Sequence, residues 1–298
     1  MSEISVGVIY KHKFQPAENE ALKLVKWLEG KGISAFSEEM GPKEETGTGS
    51  EHFPCVEGLK WIIVLGGDGT LLGASRKYGR HNLPVLGVNL GGLGFLTSIP
   101  VEKLYQAIDM LLNGKLDIEE RIMLETGVIR GGSEIFRFQT LNDVVINKGA
   151  LARIIDLNVS INDEFLTTFR SDGLIISTPT GSTGYNLAAG GPILYPSISN
   201  VILTPICPFT LTNRPIILPD SAVISIIMPR ESEEKVSLTF DGQVGFDLLQ
   251  NDKIMICKSE NKIKLFKSPY QTYYEILRTK MKWGGATYNK DGDSQALI

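Results

Sequence analysis

Apolar positions in the first third of the chain alternate between compact runs and helix-spaced stretches. Ile4–Tyr10 (ISVGVIY) reads as a strand, and Glu18–Gly30 then places Leu22, Val25, Trp27 and Leu28 near helical spacing before Gly30 and Gly32 supply a stop. Ile33–Phe36 reads as a second strand. Glu38–Pro54 is polar and rich in Gly and Pro, which predicts a long mobile loop. Trp61–Leu65 (WIIVL) and Pro84–Asn89 (PVLGVN) are continuous apolar runs of the kind buried on both faces of a parallel sheet. Val101–Lys115 is helix-like, so strand–helix alternation predicts an α/β domain with a Rossmann-like parallel sheet over residues 1–118.

The texture then changes. Short β-like runs follow one another: Met123–Gly131, Glu134–Asn147, Ile154–Asn162, Glu164–Ser171, Gly173–Pro179, Ala222–Pro229, Val236–Gly242, Lys253–Ser259 and Ile263–Ser268. Turn pairs such as Asn162–Asp163 and Asp241–Gly242 separate them, which predicts an all-β, sandwich-like domain over residues 119–268. Tyr270–Trp283 is helical again, giving a terminal helix over 269–284, and residues 285–298 read as a disordered polar tail.

Composition narrows the chemistry. At 42% hydrophobic and 21% charged, the 298 residues match an ordinary globular protein large enough for two domains. A net charge of −4 leaves no global basic excess for a nucleic-acid backbone. The richest apolar stretch, from Val201, is broken by Pro205 and Pro208, so no membrane span is expected. Three scattered cysteines and no secretory leader point to the cytoplasm. Three distant histidines give no metal cluster, and P-loop, G-x-S-x-G and G-x-G-x-x-G patterns are missing.

Four segments carry candidate chemistry. Gly66-Gly67-Asp68-Gly69-Thr70 follows a buried strand, where bare backbone can approach a phosphate and Asp68 stands at the carboxyl end of the sheet. A tight turn with Asp68 as helix cap is the plainer alternative. Asn89–Ser98 repeats the glycine-rich exit and adds Phe95 as a flat face for a base. Asn142 and Asp143 lie inside an apparently apolar strand, where neighbours point to opposite faces, so at least one is directed away from solvent. Phe169–Pro192 is dense in hydroxyls and glycine before a small-residue helix, as a polyphosphate or ribose cradle would be.

Together, GGDGT, LGFLT, NDVVINKG, SDGLIISTPTGSTGYNLAAGGP and LTFDGQ resemble the NAD kinase family from about Ile4 to Trp283. The resemblance implies an α/β domain, a β-rich domain and a final helix returning to the first. It implies phosphoryl transfer to the 2′-hydroxyl of the adenosine ribose of NAD, with ATP or polyphosphate as donor and Mg²⁺ as the metal. Asp68 is then the proton acceptor, and Gly66, Gly67 and Thr70 form the phosphate loop. Gly69, Phe95, Asn142, Asp143, Arg153, Arg170, Asp172, Thr183, Gly184, Tyr185, Asn186, Leu187, Ala188 and Gln243 are the nucleotide contacts. A cytoplasmic homodimer or homotetramer is implied. A lipid kinase sharing GGDGT, or a dinucleotide sensor without turnover, are the rival readings.

Overall fold

The computed structural model describes residues 5–41, 58–149, 154–229 and 235–283. The first domain runs β1 (Ser5–Lys11), α1 (Gln15–Gly30), β2 (Ser34–Met40), β3 (Leu59–Gly66), α2 (Asp68–Tyr78), β4 (Pro84–Asn89), β5 (Ile99–Pro100) and α3 (Leu104–Leu112). Strands β2, β1, β3 and β4 pair in parallel in that order. Helices α1 and α3 bury Leu24, Leu28, Leu104 and Ile108 on one face of these strands, and α2 buries Leu71 and Tyr78 on the other. The buried stripe of α1 is Ala17, Ala21, Leu24 and Leu28, whereas Leu22 is exposed. Two alanines in that stripe let the helix lie close to the sheet.

The remaining strands are β6 (Ile118–Arg130), β7 (Ser133–Thr140), β8 (Asp143–Lys148), β9 (Ile155–Ile161), β10 (Glu164–Ser171), β11 (Gly173–Ser177), β12 (Asn200–Ile206), β13 (Ile216–Pro219), β14 (Ile224–Ile227), β15 (Val236–Phe240), β16 (Val244–Leu248) and β17 (Lys253–Phe266). A four-residue helix α4 (Tyr185–Ala188) interrupts them, and α5 (Tyr273–Met281) follows. Six strands form one sheet in the order β13-β12-β11-β8-β15-β16. Its inner face, with Val144, Ile176, Leu203 and Leu238, packs on Leu124, Leu157, Ile226 and Ile256 of the other sheet. This is face-to-face sandwich packing.

That other sheet does not stop at the domain boundary. Strand β17 pairs antiparallel with β6 and β14, and at Lys264–Leu265 also parallel with β4. One eleven-stranded sheet therefore passes through both domains. The Lys253–Ser259 and Ile263–Ser268 runs are accordingly one strand with an irregularity between Lys258 and Lys262. Glu134–Asn147, read as one run, is two strands separated at Leu141–Asn142. The stretch from Val201 is strand β12, and its Pro205 is accommodated within the pairing to β11.

A capping box between Thr272 and Glu275 starts α5, which buries Ile276 and Leu277. The Ser268 hydroxyl donates to the Ser98 carbonyl at 3.2 Å, and Tyr273 stands 6.3 Å from Phe95. The last helix thus returns to the turn after β4. Among the described residues no helix is long and apolar enough to cross a membrane. Most of the Glu38–Pro54 loop and the 285–298 tail lie outside the described residues.

Candidate active site

Strand β3 ends at Gly66, Gly67 caps the next helix, and Asp68 is its first residue. The Asp68 carboxylate is half-buried and faces the turn after β4. Its Oδ1 accepts from Leu96 N (3.0 Å), Thr97 N (2.9 Å) and Thr97 Oγ1 (3.0 Å), and its Oδ2 accepts from Phe95 N at 2.8 Å. A carboxylate offers about four acceptor positions. Oδ1 is saturated, while Oδ2, with one donor, keeps a lone pair for a further proton. The two glycine-rich exits are therefore one unit.

The phosphate-loop residues divide by exposure. Gly66 and Thr70 are buried, and a β-carbon on Gly66 would lie 2.4 Å from Thr70 Oγ1, so this glycine serves internal packing. Gly67 and Gly69 are exposed, as are Gly91 and Gly92 in the facing turn, and these leave open backbone for an anion. Phe95 is half-buried, and it lines a cleft of about 380 Å³ with Tyr270 and Tyr273.

Asn142 and Asp143 do not lie mid-strand. Asn142 occupies the break between β7 and β8, and Asp143 opens β8. The break is held by Asp241, whose Oδ1 accepts from Asn142 N (2.7 Å) and Asp143 N (3.3 Å) and whose Oδ2 accepts from Leu141 N (3.4 Å). Asn142 Oδ1 is buried without a hydrogen-bond partner, an orphaned acceptor of the kind a ligand hydroxyl would satisfy. Asp143 is 5% exposed, and burial, with the Asp241 carboxylate beside it, pushes its acid up to about 7. Burial also raises Asp241, opposed by Arg76 and the backbone donors.

The hydroxyl-rich loop closes over this pair. A β-carbon on Gly181 would fall 2.2 Å from the Asn142 carbonyl, and one on Gly184 would sit 3.9 Å from both Asn142 Nδ2 and Asp143 Oδ2. Thr183 and Leu187 are half-buried, and Gly184, Tyr185 and Ala188 are exposed along the rim. Asn186, expected among the contacts, turns its side chain inward. It is fully buried, donates to Ser182 O and Pro192 O at 3.0 Å each, and accepts from Thr204 Oγ1 at 2.6 Å. Its side chain braces the loop rather than facing the crevice. The expected small-residue helix is one turn, because Gly190 and Gly191 follow at once.

Gln243 joins the two domains. Its Nε2 donates to the Gly69 carbonyl at 2.9 Å, and its Oε1 accepts from Arg76 at 2.5 Å. Arg76 also contacts Asp241 Oδ2 at 3.1 Å. Neither Arg76 nor Asp241 stands among the sequence-derived candidates. The Asp-Gly turn signal at 241–242 was present, but only tertiary structure shows that Asp241 turns inward.

Arg170 and Asp172 stand elsewhere. Asp143 pairs with Ser177 and Asn147 with Gly173, so Asp172 lies at the other end of β11. Four residue steps separate the two ends, roughly 13 Å at ~3.3 Å each. There Asp172 pairs with Lys148 at 2.8 Å, and Arg170 contacts Asp156 and covers Phe209. Arg153 lies outside the described residues. No cluster of three or more His, Cys, Asp or Glu suited to a metal occurs among the described residues.

Comparison with known proteins shows the family. Residues 6–116 match the ATP-NAD kinase N-terminal domain and residues 141–268 the ATP-NAD kinase C-terminal domain. The chain is 48% identical to the NAD kinase of Citrifermentans bemidjiense over 268 residues, 89% of this chain and 93% of that protein. It is 48% identical to that of Syntrophobacter fumaroxidans over 285 residues, 94% and 99% of the two chains. The fold resembles yeast NADH kinase complexed with NADH (TM-score 0.80, 24% identity, 97% of this chain and 90% of that one). It also resembles an Archaeoglobus fulgidus NAD kinase in complex with ATP (TM-score 0.74, 24% identity, 93% and 98%).

Proposed function

The chain belongs to the NAD kinase family and phosphorylates the 2′-hydroxyl of the adenosine ribose of NAD to give NADP; on that premise we propose that ATP is the donor and that the residues around Asp68 carry the transfer. Relatives this similar over nearly the whole chain leave the lipid-kinase and sensor readings without support.

A secondary hydroxyl is a weak nucleophile near neutral pH, so the enzyme must align it with the γ-phosphate and take its proton. Asp68 Oδ2 is the acceptor in this reading. Three donors on Oδ1 fix the carboxylate's orientation, and the single donor on Oδ2 leaves it free to accept. Asn142 and Asp143 hold ribose hydroxyls, through the orphaned Asn142 Oδ1 and the buried Asp143 carboxyl. Gly67 and Gly69, at the start of α2, present backbone to phosphate. Thr183, Gly184, Tyr185, Leu187 and Ala188 border the base and ribose. Arg170 and Asp172 supply a second row of dinucleotide contacts at the far end of β11, and Arg153 a further one.

Mg²⁺ fits this site as a cation carried on the donor phosphates, since such ions are held by one or two carboxylates plus phosphate oxygens. Asp68, half-buried beside the exposed Gly67, would be the carboxylate to share in holding it. The cation supplies charge neutralisation on the transferring phosphoryl group.

Self-association as a homodimer or homotetramer is supported by exposed apolar residues, Phe165 and Leu166 on the edge strand β10 and Phe209 and Leu211 in the segment between β12 and β13. Free thiols at Cys207 and Cys257 suit a cytoplasmic enzyme.

One observation carries the reading: hydrogen bonds link Gly69, beside Asp68, through Gln243 and Arg76 to Asp241 and so to Asn142–Asp143. The test is NADP formation with Mg²⁺ and either ATP or polyphosphate. ATP should support turnover. NADP formed from polyphosphate alone would refute the choice of donor.

A further inference from the structure

We propose that Arg76 is a positioning residue for phosphoryl transfer, acting through Asp241 to hold the Asn142–Asp143 pair in register with the helix that begins at Asp68. The inference rests on the assignment of Asn142 and Asp143 to the acceptor ribose.

Arg76 lies on α2, eight residues past Asp68 and so about two turns along the same helix. Its side chain is 15% exposed and crosses to the turn between β15 and β16. There the guanidinium takes two acceptors at once, Asp241 Oδ2 at 3.1 Å and Gln243 Oε1 at 2.5 Å. The Asp241 side chain is completely buried, and its remaining capacity goes to the amides of Leu141, Asn142 and Asp143. The hold is reciprocal, because Asp241 N donates to the Asp143 carbonyl at 3.0 Å.

These contacts join two elements that do different work. The N-terminus of α2 faces the donor, and the Leu141–Asp143 break carries the acceptor grip. They belong to different domains, and phosphoryl transfer depends almost wholly on how well its reactants are placed. Gln243 ties the same two elements a second time through the Gly69 carbonyl. A salt bridge needed only for folding could sit anywhere along the domain boundary. This one ends on the amides that shape the ribose contacts.

The test separates folding from alignment. Arg76→Met alone leaves Asp241 buried without its cation, so its stability will fall. The double variant Arg76→Met/Asp241→Asn removes both charges and should melt near the wild-type temperature. We expect the double variant to lose roughly tenfold or more in kcat while KM for NAD and for ATP stays within about threefold, the split expected when alignment rather than binding is lost. Arg76→Lys, which can still reach Asp241, should recover most of the kcat. A well-folded double variant with wild-type kcat overturns the proposal. Should the double variant fail to fold, Arg76→Gln removes the cation while leaving Asp241 a polar partner. A several-fold lower kcat there supports the proposal, and an unchanged kcat overturns it. Asn142→Ala tests the underlying assignment separately. An unchanged KM for NAD in that variant defeats the ribose assignment and this proposal together. A raised KM there, beside wild-type kcat in the double variant, defeats the proposal alone.

Discussion

Gly94 lies so close to Asp68 that a β-carbon on it would come within 2.2 Å of Oδ1. The same hypothetical atom would stand 2.4 Å from Thr97 Oγ1, which donates to that oxygen. Glycine at 94 is what allows the turn after β4 to wrap the carboxylate. Gly94→Ala must therefore push the turn away, and we expect kcat to fall on the order of 100-fold, as for other ångström-scale misplacements of a reacting group. Steady-state kinetics beside a melting curve would separate this from simple unfolding.

Asp143 makes stability depend on pH. In the folded chain its acid holds its proton up to about pH 7, whereas an unfolded aspartate releases it near pH ~4. Folding takes up a proton within that window. This group's contribution is thus full below about pH 4 and is lost as pH rises towards 7. Asp143→Asn removes the titration, so its melting temperature should gain on the wild type between pH 5 and pH 8. A constant gap between the two proteins over that range would contradict the assignment.

Asn186 should behave as a structural residue. Asn186→Ala strands Thr204 Oγ1 and the carbonyls of Ser182 and Pro192, the first two contacts buried and the third partly so. The expected loss is roughly 2–4 kcal/mol in denaturant unfolding. If the variant were as stable as wild type yet bound NAD poorly, its side chain would belong to the crevice after all.

Asp172 should affect binding more than chemistry. It lies a strand's length from Asp143, so Asp172→Asn should raise KM for NAD with kcat nearly unchanged. A comparable loss in kcat would place it at the reacting centre instead.

The parts of this architecture readable from sequence are those that rest on local pattern. Buried β3 and β4 are continuous apolar runs, and GGDGT and LGFLT sit where their strands end. What escaped depends on distant segments meeting. The bond between Asp68 and the 95–97 turn joins residues 27 to 29 positions apart, and that between Arg76 and Asp241 spans 165. Asn142 looked like part of a strand because Leu141, Val144 and Val145 flank it, yet the Asp241 carboxylate takes over the amides that a ladder would have paired. Asn186 reads as one of the nucleotide contacts, and only Thr204, on β12, reveals that its side chain points inward. Strand β12 was missed because Pro205 within it and Pro208 just beyond it obscure an otherwise apolar run.

The central claim is that Asp68 accepts the proton of the ribose hydroxyl, and the kcat of Asp68→Asn at saturating NAD and ATP tests it most directly. With NAD affinity measured in parallel and found near wild type, this account predicts a loss of roughly 100- to 10,000-fold, the usual range for a removed general base. An Asp68→Asn enzyme that binds NAD and turns over within tenfold of the wild type would contradict it.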